Sequence, residues 1–152
     1  MSEGHVKVIA QNRRARFEYY VESKLECGIA LTGTEVKSLR EGGVQLSDAY
    51  AIGKGGELFL FNAQISPYKP AGPLQNHEPK RTRKLLLHRR EIDRLQEAQQ
   101  KSGYALIPLS LYFKDGRVKV ELGVCKGKTG EDKRDTIAER EAKREMDRAR
   151  RR

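Results

Sequence analysis

Glycine and proline interrupt the first 125 residues at short intervals, and from Asp135 onward the chain contains neither. That punctuation limits the folds open to it. Between the breaks lie short segments in which apolar and polar side chains alternate, the period of half-buried strands rather than of long helices. A doubly wound parallel sheet needs regular strand–helix alternation, and none is present. The pattern predicts an all-β-dominated body: a small antiparallel barrel with two or three peripheral helices. Apolar residues make up only 37% of the chain and charged residues 34%. A modest core must therefore coexist with a strongly polar segment.

Residues 1–11 read as a loose N-terminal arm. "FEYYVES", from Phe17, and "CGIALTG", with Ile29 and Leu31 alternating, read as two strands. Gly33 ends the second. In "TEVKSLREGG", Val36 and Leu39 stand three apart, a short helix stopped by Gly42 and Gly43. "AYAI" and "LFLFNAQI" flank the turn "GKGGE" and form a hairpin. "SPYKPAGPLQNHEPKRTRK" carries Pro67, Pro70, Pro73 and Pro79, which exclude regular helix or central strand. A loop of that length is expected to be functional or mobile. "LLLHRREIDRLQEAQQKSG" spaces Ile92, Leu95 and Ala98 as a helix, with Gly103 as its stop. "YALIPLSLYF" and "VKVELGVC" form a last hairpin through Asp115-Gly116. The folded body is thus expected over residues 12–125.

After Cys125 the composition changes. Residues 126–152 hold 11 Lys/Arg against 7 Asp/Glu, a net +4, with Ile137 and Met146 as the only larger apolar side chains. Ordering such a segment costs about 1–2 kcal/mol per residue in backbone entropy, and little buried surface offsets it. The tail is expected to be disordered when free. It nevertheless has helix formers throughout, a Thr136–Glu139 capping box and a Glu139–Lys143 pair at i,i+4. It reads as a latent helix that orders on a polyanionic partner.

The formal net charge of +10 and a pI near 9.8 favour such partners, nucleic acid first. No apolar run reaches the length of a membrane span. The N-terminus lacks the apolar stretch of a secretory signal. Cys27 and Cys125 have no CxxC partner, as expected of a reduced, cytoplasmic protein. His5, His77 and His88 lack metal-ligand spacing, so no metal and no cofactor are expected. "GVCKGKTG" resembles a phosphate-binding loop, but three residues separate Gly123 from Gly127-Lys128-Thr129 where that motif has four. The polar "GEDKRDTI" after it lacks the buried face of the helix that motif requires. No nucleophile is paired with a base in a recognisable signature either, so the chain is not expected to be an enzyme.

Basic residues cluster in the body. Arg13, Arg14 and Arg16 form one group, Lys37 and Arg40 a second, and Lys80, Arg81, Arg83 and Lys84 a third, followed by Arg89 and Arg90. Such groups supply salt-dependent phosphate contacts. Tyr19, Tyr20, Tyr50, Tyr68 and His77 are interleaved with them and offer faces for unpaired bases. Residues alone leave two RNA-binding readings open, a general OB-fold or ribosomal RNA-binding protein and a more specialised one.

"NRRARFEYYVES", "GIALTGTEVKSLREGG", "SDAY", "RTRKLLLHRREI", "LYFKDGRVKVELGVCKGK" and "DKR" occur in this order. From Asn12 to Arg134 the chain resembles the small protein B (SmpB) family, partner of transfer-messenger RNA (tmRNA) in trans-translation. The resemblance implies an OB-type barrel that binds the tRNA-like domain of tmRNA. It implies delivery of alanyl-tmRNA to stalled ribosomes alongside elongation factor Tu, by a chain expected to be monomeric. Its RNA-contact positions fall on Asn12, Glu26, Leu86 and Lys119, with Tyr50 as a further candidate. In the family the tail enters the vacant mRNA path near the decoding centre as a helix. The positions implied there are Lys126, Lys128, Asp132, Lys133 and Arg134, and the basic residues Arg140, Lys143 and Arg144 extend them. The chain departs from the family pattern at Thr129 and Glu131, where a Lys and an aromatic or His are usual.

Overall fold

The computed structural model describes residues 5–150, without the side chains of Asp132, Asp135, Thr136 and Arg150. The Asp132 contact and the Thr136 half of the expected capping box therefore fall outside the described residues.

Local turn chemistry builds two hairpins. Strands β4 (Tyr50–Lys54) and β5 (Glu57–Phe61) are joined by Gly55 and Gly56, both at positive φ. β8 (Tyr104–Lys114) and β9 (Arg117–Gly127) are joined by Asp115 and Gly116 at φ 51° and 79°. Two successive left-handed residues give the twist a two-residue hairpin needs. The other strands are β1 (Val6–Gln11), β2 (Tyr19–Ile29), β3 (Val44–Gln45), β6 (Gln64–Ile65) and β7 (Arg83–Leu86). The helices are α1 (Arg13–Glu18), α2 (Gly33–Arg40), α3 (Arg89–Gln99) and α4 (Gly130–Arg150).

The main sheet runs β1-β8-β4-β5-β7-β2-β9, and β9 pairs back onto β8 to close a barrel. Every pairing is antiparallel. Closure removes the free edges of the six ring strands, while β1, paired only with β8, lies outside the ring. Strand alternation sends Leu58, Leu60, Leu85, Leu106, Leu111, Val120 and Leu122 inward, each almost fully buried. Pro108, which has no N–H for a ladder, lies where the β8–β9 register shifts between Pro108 and Ser110. The architecture is the expected one: β-dominated, OB-like, with peripheral helices.

Several expected boundaries move. The arm is not loose throughout, because Val6–Gln11 pairs with Ser110–Lys114 of β8. "FEYYVES" does not start as a strand. Asn12 caps a helical turn by accepting from the Ala15 N–H at 3.1 Å, and β2 begins at Tyr19 and runs unbroken through Ile29. "RKLL" is β7 rather than the approach to a helix. It fits between β5 and β2, and α3 starts only at Arg89. In each case a tertiary partner overrides the local pattern.

The proline-rich loop is tied down. Asn76 accepts from Tyr68 N–H and donates to Tyr68 O and Gly72 O, each at 2.8 Å. His77, expected to face RNA, is instead buried between Thr34 Oγ1 and Ile65 O, both 2.9 Å away. A carboxylate–guanidinium cluster anchors the end of the loop. Glu35 on α2 pairs with Arg83 at 2.5 Å and Arg81 at 2.6 Å, and Glu35 and Arg83 have no solvent exposure. Arg83 also donates to Ala63 O and Pro79 O. Burial pushes the Glu35 pKa up, but Arg81, the Thr32 N–H and Arg83 outweigh it and hold the carboxyl below its ordinary value. Burial depresses Arg83 against the opposing pull of Glu35.

Candidate nucleic-acid interface

On β2, Cys27 points into the barrel, so Glu26 and Gly28 face outward. Gly28 is paired with Leu86 on one side and Lys119 on the other. Lys119 is paired in turn with Tyr112, and Tyr112 with Val8. The register thus draws one row across five strands: Leu86, Gly28, Lys119, Tyr112, Val8. Glu26 stands one outward position along from Gly28, opposite Glu121. Three of the expected RNA contacts, Glu26, Leu86 and Lys119, come from distant segments and meet on this face.

Its chemistry is mixed. Leu86 is 50% exposed, an apolar side chain half open to solvent. Tyr112 donates from Oη to Glu26 Oε2 at 2.5 Å, and Lys114 Nζ lies 3.3 and 3.4 Å from the two carboxylate oxygens. The Tyr112 hydrogen bond is the main cause that holds Glu26 below the ordinary carboxyl pKa. Partial burial opposes it, and Lys114 and Lys119 assist. Burial and the Glu26 hydrogen bond push the Tyr112 hydroxyl well above the usual phenol range. Glu26 is therefore ionised and oriented at neutral pH. Tyr112, Lys114 and Gly28 carry no local signal as site residues. Tyr112 and Glu26 are 86 positions apart, and only the closed barrel joins them.

Other expected contacts lie elsewhere. Arg83 is corrected: it is fully buried on Glu35 and has no face for RNA. Asn12 is corrected likewise: it is 3% exposed, and its side-chain amide donates to Leu46 O and Pro108 O while its oxygen caps α1. Its work is internal, orienting the helix that carries exposed Arg13 and Arg14. Arg14 is paired with Glu18 and Asp48, Lys84 with Glu57, and Arg81 with Glu35. Lys37 lies 5.7 Å from the Tyr68 ring, and Arg40 is exposed at the end of α2. Tyr50 is stacked on Phe61, ring centres 5.6 Å apart, where it pairs across β4 and β5, strands other than those that carry Glu26, Leu86 and Lys119.

The tail root sits on a third surface. β9 continues to Gly127, so Lys126 belongs to the sheet, opposite Tyr20 and Tyr104. Gly123, the supposed start of a phosphate loop, is mid-strand, between Lys24 and Ile107. The Lys128 N–H donates to Glu18 O at 2.8 Å, and its ammonium lies 3.3 Å from Arg16 O and 4.8 Å from the Tyr20 ring centre. Both features remove the shape a nucleotide loop needs. Beyond it, α4 projects an exposed, highly charged helix. Lys133 and Arg140 each lie 5.9 Å from the Phe17 ring on α1, while Arg134, Lys143 and Arg144 face solvent.

Residues 9–152 match the family model described as "SmpB protein". The chain belongs to the SmpB family. It is 62% identical to the SsrA-binding protein of Myxococcus xanthus over 151 residues, covering 99% of this chain and 93% of that one. It is 53% identical to the SsrA-binding protein of Geobacillus thermodenitrificans, covering 98% and 96%. A solved chain from "tmRNA-SmpB: a journey to the center of the bacterial ribosome" superposes with a TM-score of 0.70 at 44% identity, covering 84% of this chain and 93% of that chain. Among the described residues no helix is long and apolar enough to cross a membrane, and no group of His, Cys, Asp and Glu has the geometry of a metal site.

Proposed function

We propose that this chain is a tmRNA-binding adaptor of trans-translation. Its barrel binds the tRNA-like domain of tmRNA, and it accompanies alanyl-tmRNA, with elongation factor Tu, to stalled ribosomes. The observation that carries this reading is near-full-length likeness to SsrA-binding proteins. The geometry fits it: Glu26, Leu86 and Lys119 share one outer face, which offers a fixed acceptor, an apolar wall and a cation. RNA with unpaired bases is read by that combination of edge contacts, stacking and phosphate neutralisation. The chain acts by binding and not by catalysis, as a cytoplasmic monomer.

The tail supplies the second half of the role. Its cations, from Lys126 and Lys128 through Lys133, Arg134, Arg140, Lys143 and Arg144, follow the vacant mRNA path of the small subunit, where Asp132 also contributes. Ribosomal RNA replaces Phe17 as the partner of Lys133 and Arg140. Glu131 offers no ring for stacking at the position where relatives of the family commonly place one.

A filter-binding titration of tmRNA against bulk tRNA at physiological salt tests the first half. Clear preference for tmRNA is expected, and equal affinity would leave only a general RNA-binding protein. Truncation after Gly127 tests the second. tmRNA binding is expected to stay nearly intact while tagging on stalled ribosomes is lost, and retained tagging would refute the tail's role.

A further inference from the structure

β9 delivers the tail onto α1. The Gly127 N–H donates to Gly103 O at 2.9 Å, where the strand ends. Lys128 then turns to the C-terminal end of α1. Its N–H donates to Glu18 O at 2.8 Å and its ammonium to Arg16 O at 3.3 Å. The last carbonyls of a helix have no partner within it. Lys128, 112 positions from Arg16, therefore caps α1 from far along the chain. Its ammonium also lies 4.8 Å from the Tyr20 ring centre. These contacts pin the root of the tail, and only Thr129 separates that root from α4.

The pinned root decides where α4 lands. Lys133 and Arg140 stand about two turns apart on α4 and so share a face. Both cations lie 5.9 Å from the centre of the Phe17 ring. Phe17 and Lys133 are half-buried, while the other described side chains of α4 are exposed. Charge does not explain this contact, because α1 itself carries exposed Arg13 and Arg16. The negative face of the ring supplies the attraction. Two exposed cation–π contacts favour the docked form by roughly fivefold to thirtyfold, less the cost of ordering the helix. A preference of that size leaves amide exchange in α4 fast. It still taxes every ligand that needs the tail undocked, in proportion to the docked fraction.

We propose that Phe17 is an internal seat for the tail. With α4 folded back onto α1, Lys133 and Arg140 are withheld from RNA, and RNA that uses the tail must first displace the ring. The seat is an autoinhibitory contact that lowers the affinity of the free protein for RNA in general. A long RNA path that engages many tail cations at once overcomes it, because each phosphate contact adds to the affinity. The proposal rests on the reading of the tail as an RNA-binding element.

Full-length protein titrated with an oligouridine of about 20 nucleotides, followed by anisotropy, tests it. Phe17→Leu keeps an apolar side chain and removes the ring face, so it should bind about threefold tighter than wild type. Phe17→Trp supplies the best cation–π partner and should bind about threefold more weakly. A ring that stacked on bases would reverse both signs, and that reversal, or no change in either variant, overturns the seat. With Lys133→Gln and Arg140→Gln both present, neither change at Phe17 should matter, and an effect that persists there also overturns it. The wild-type chain has no Trp, so Phe17→Trp carries a single indole. Acrylamide quenching of its fluorescence should rise when Lys133→Gln and Arg140→Gln are added, and unchanged quenching means that α4 does not dock in solution. If these tests fail while truncation after Gly127 still abolishes tagging, the seat is lost and the tail's role on the ribosome stands. A truncated protein that still tags sinks the tail reading itself.

Discussion

Glu35 and Arg83 form a fully buried ion pair, with Arg81 closing the cluster from the surface. Breaking one side of such a pair strands a charge in the interior, at a cost of about 3–5 kcal/mol. Glu35→Gln is nearly isosteric, so urea unfolding should show that loss as a lower midpoint at unchanged m-value. The pH dependence has a definite sign. The folded pKa of Glu35 lies below its unfolded value, so its contribution is complete above the ordinary carboxyl range. It is lost as pH falls through the folded pKa. The stability gap between wild type and Glu35→Gln should therefore be widest at neutral pH and narrow under acid. A constant gap from pH 7 down to acid would show that Glu35 is not charged in the fold. Nothing local announced this pair: Glu35 and Arg83 are 48 positions apart, and in the sequence Arg83 is one cation of a basic cluster.

Elements were legible in the sequence where local chemistry decides them. Gly55-Gly56 and Asp115-Gly116 set their hairpins by backbone conformation alone, and Val36 and Leu39 placed α2. β1 and β7 were not legible, because their ladders come from strands far along the chain. The α1–β2 boundary depends on Asn12, whose side chain makes three hydrogen bonds to distant and local backbone. Asn12→Ala removes a cap and the side-chain donor to two carbonyls, of which Leu46 O keeps the Ala49 N–H at 2.9 Å, a loss of about 1–3 kcal/mol. Asn12→Ser should restore the cap alone and recover about 1 kcal/mol. Thermal unfolding of the three proteins should rank them wild type, Ser, Ala; equal Ser and Ala would assign the stability to the carbonyl contacts only. α4 obeys a different rule. A helix with almost no buried face is marginal in water. Hydrogen exchange of the free protein should be fast across residues 131–149 and slow in β9 up to Lys126, and protection of α4 should appear when the ribosome binds.

Scale joins these parts through charge. The net +10 is divided between the barrel and the charged tail helix. Many of the barrel's basic side chains are already engaged with Glu or Asp, so the formal charge overstates what RNA can use. Lys119, opposite Gly28, is in a different position, because the neighbouring Glu26 is already held by Tyr112 and Lys114. Each phosphate neutralised by a protein cation releases counterions, which makes log affinity fall linearly with log salt at about 0.7–0.9 per contact. Lys119→Ala should therefore lower tmRNA affinity and reduce that salt slope by about one contact. Lys84→Ala, which mainly frees Glu57, should change the slope by much less. Removing the tail should leave the tmRNA slope almost unaltered while flattening the salt dependence of ribosome binding. A tail deletion that flattens both would mean that α4 grips tmRNA as well, and the division of labour between barrel and tail would have to be redrawn.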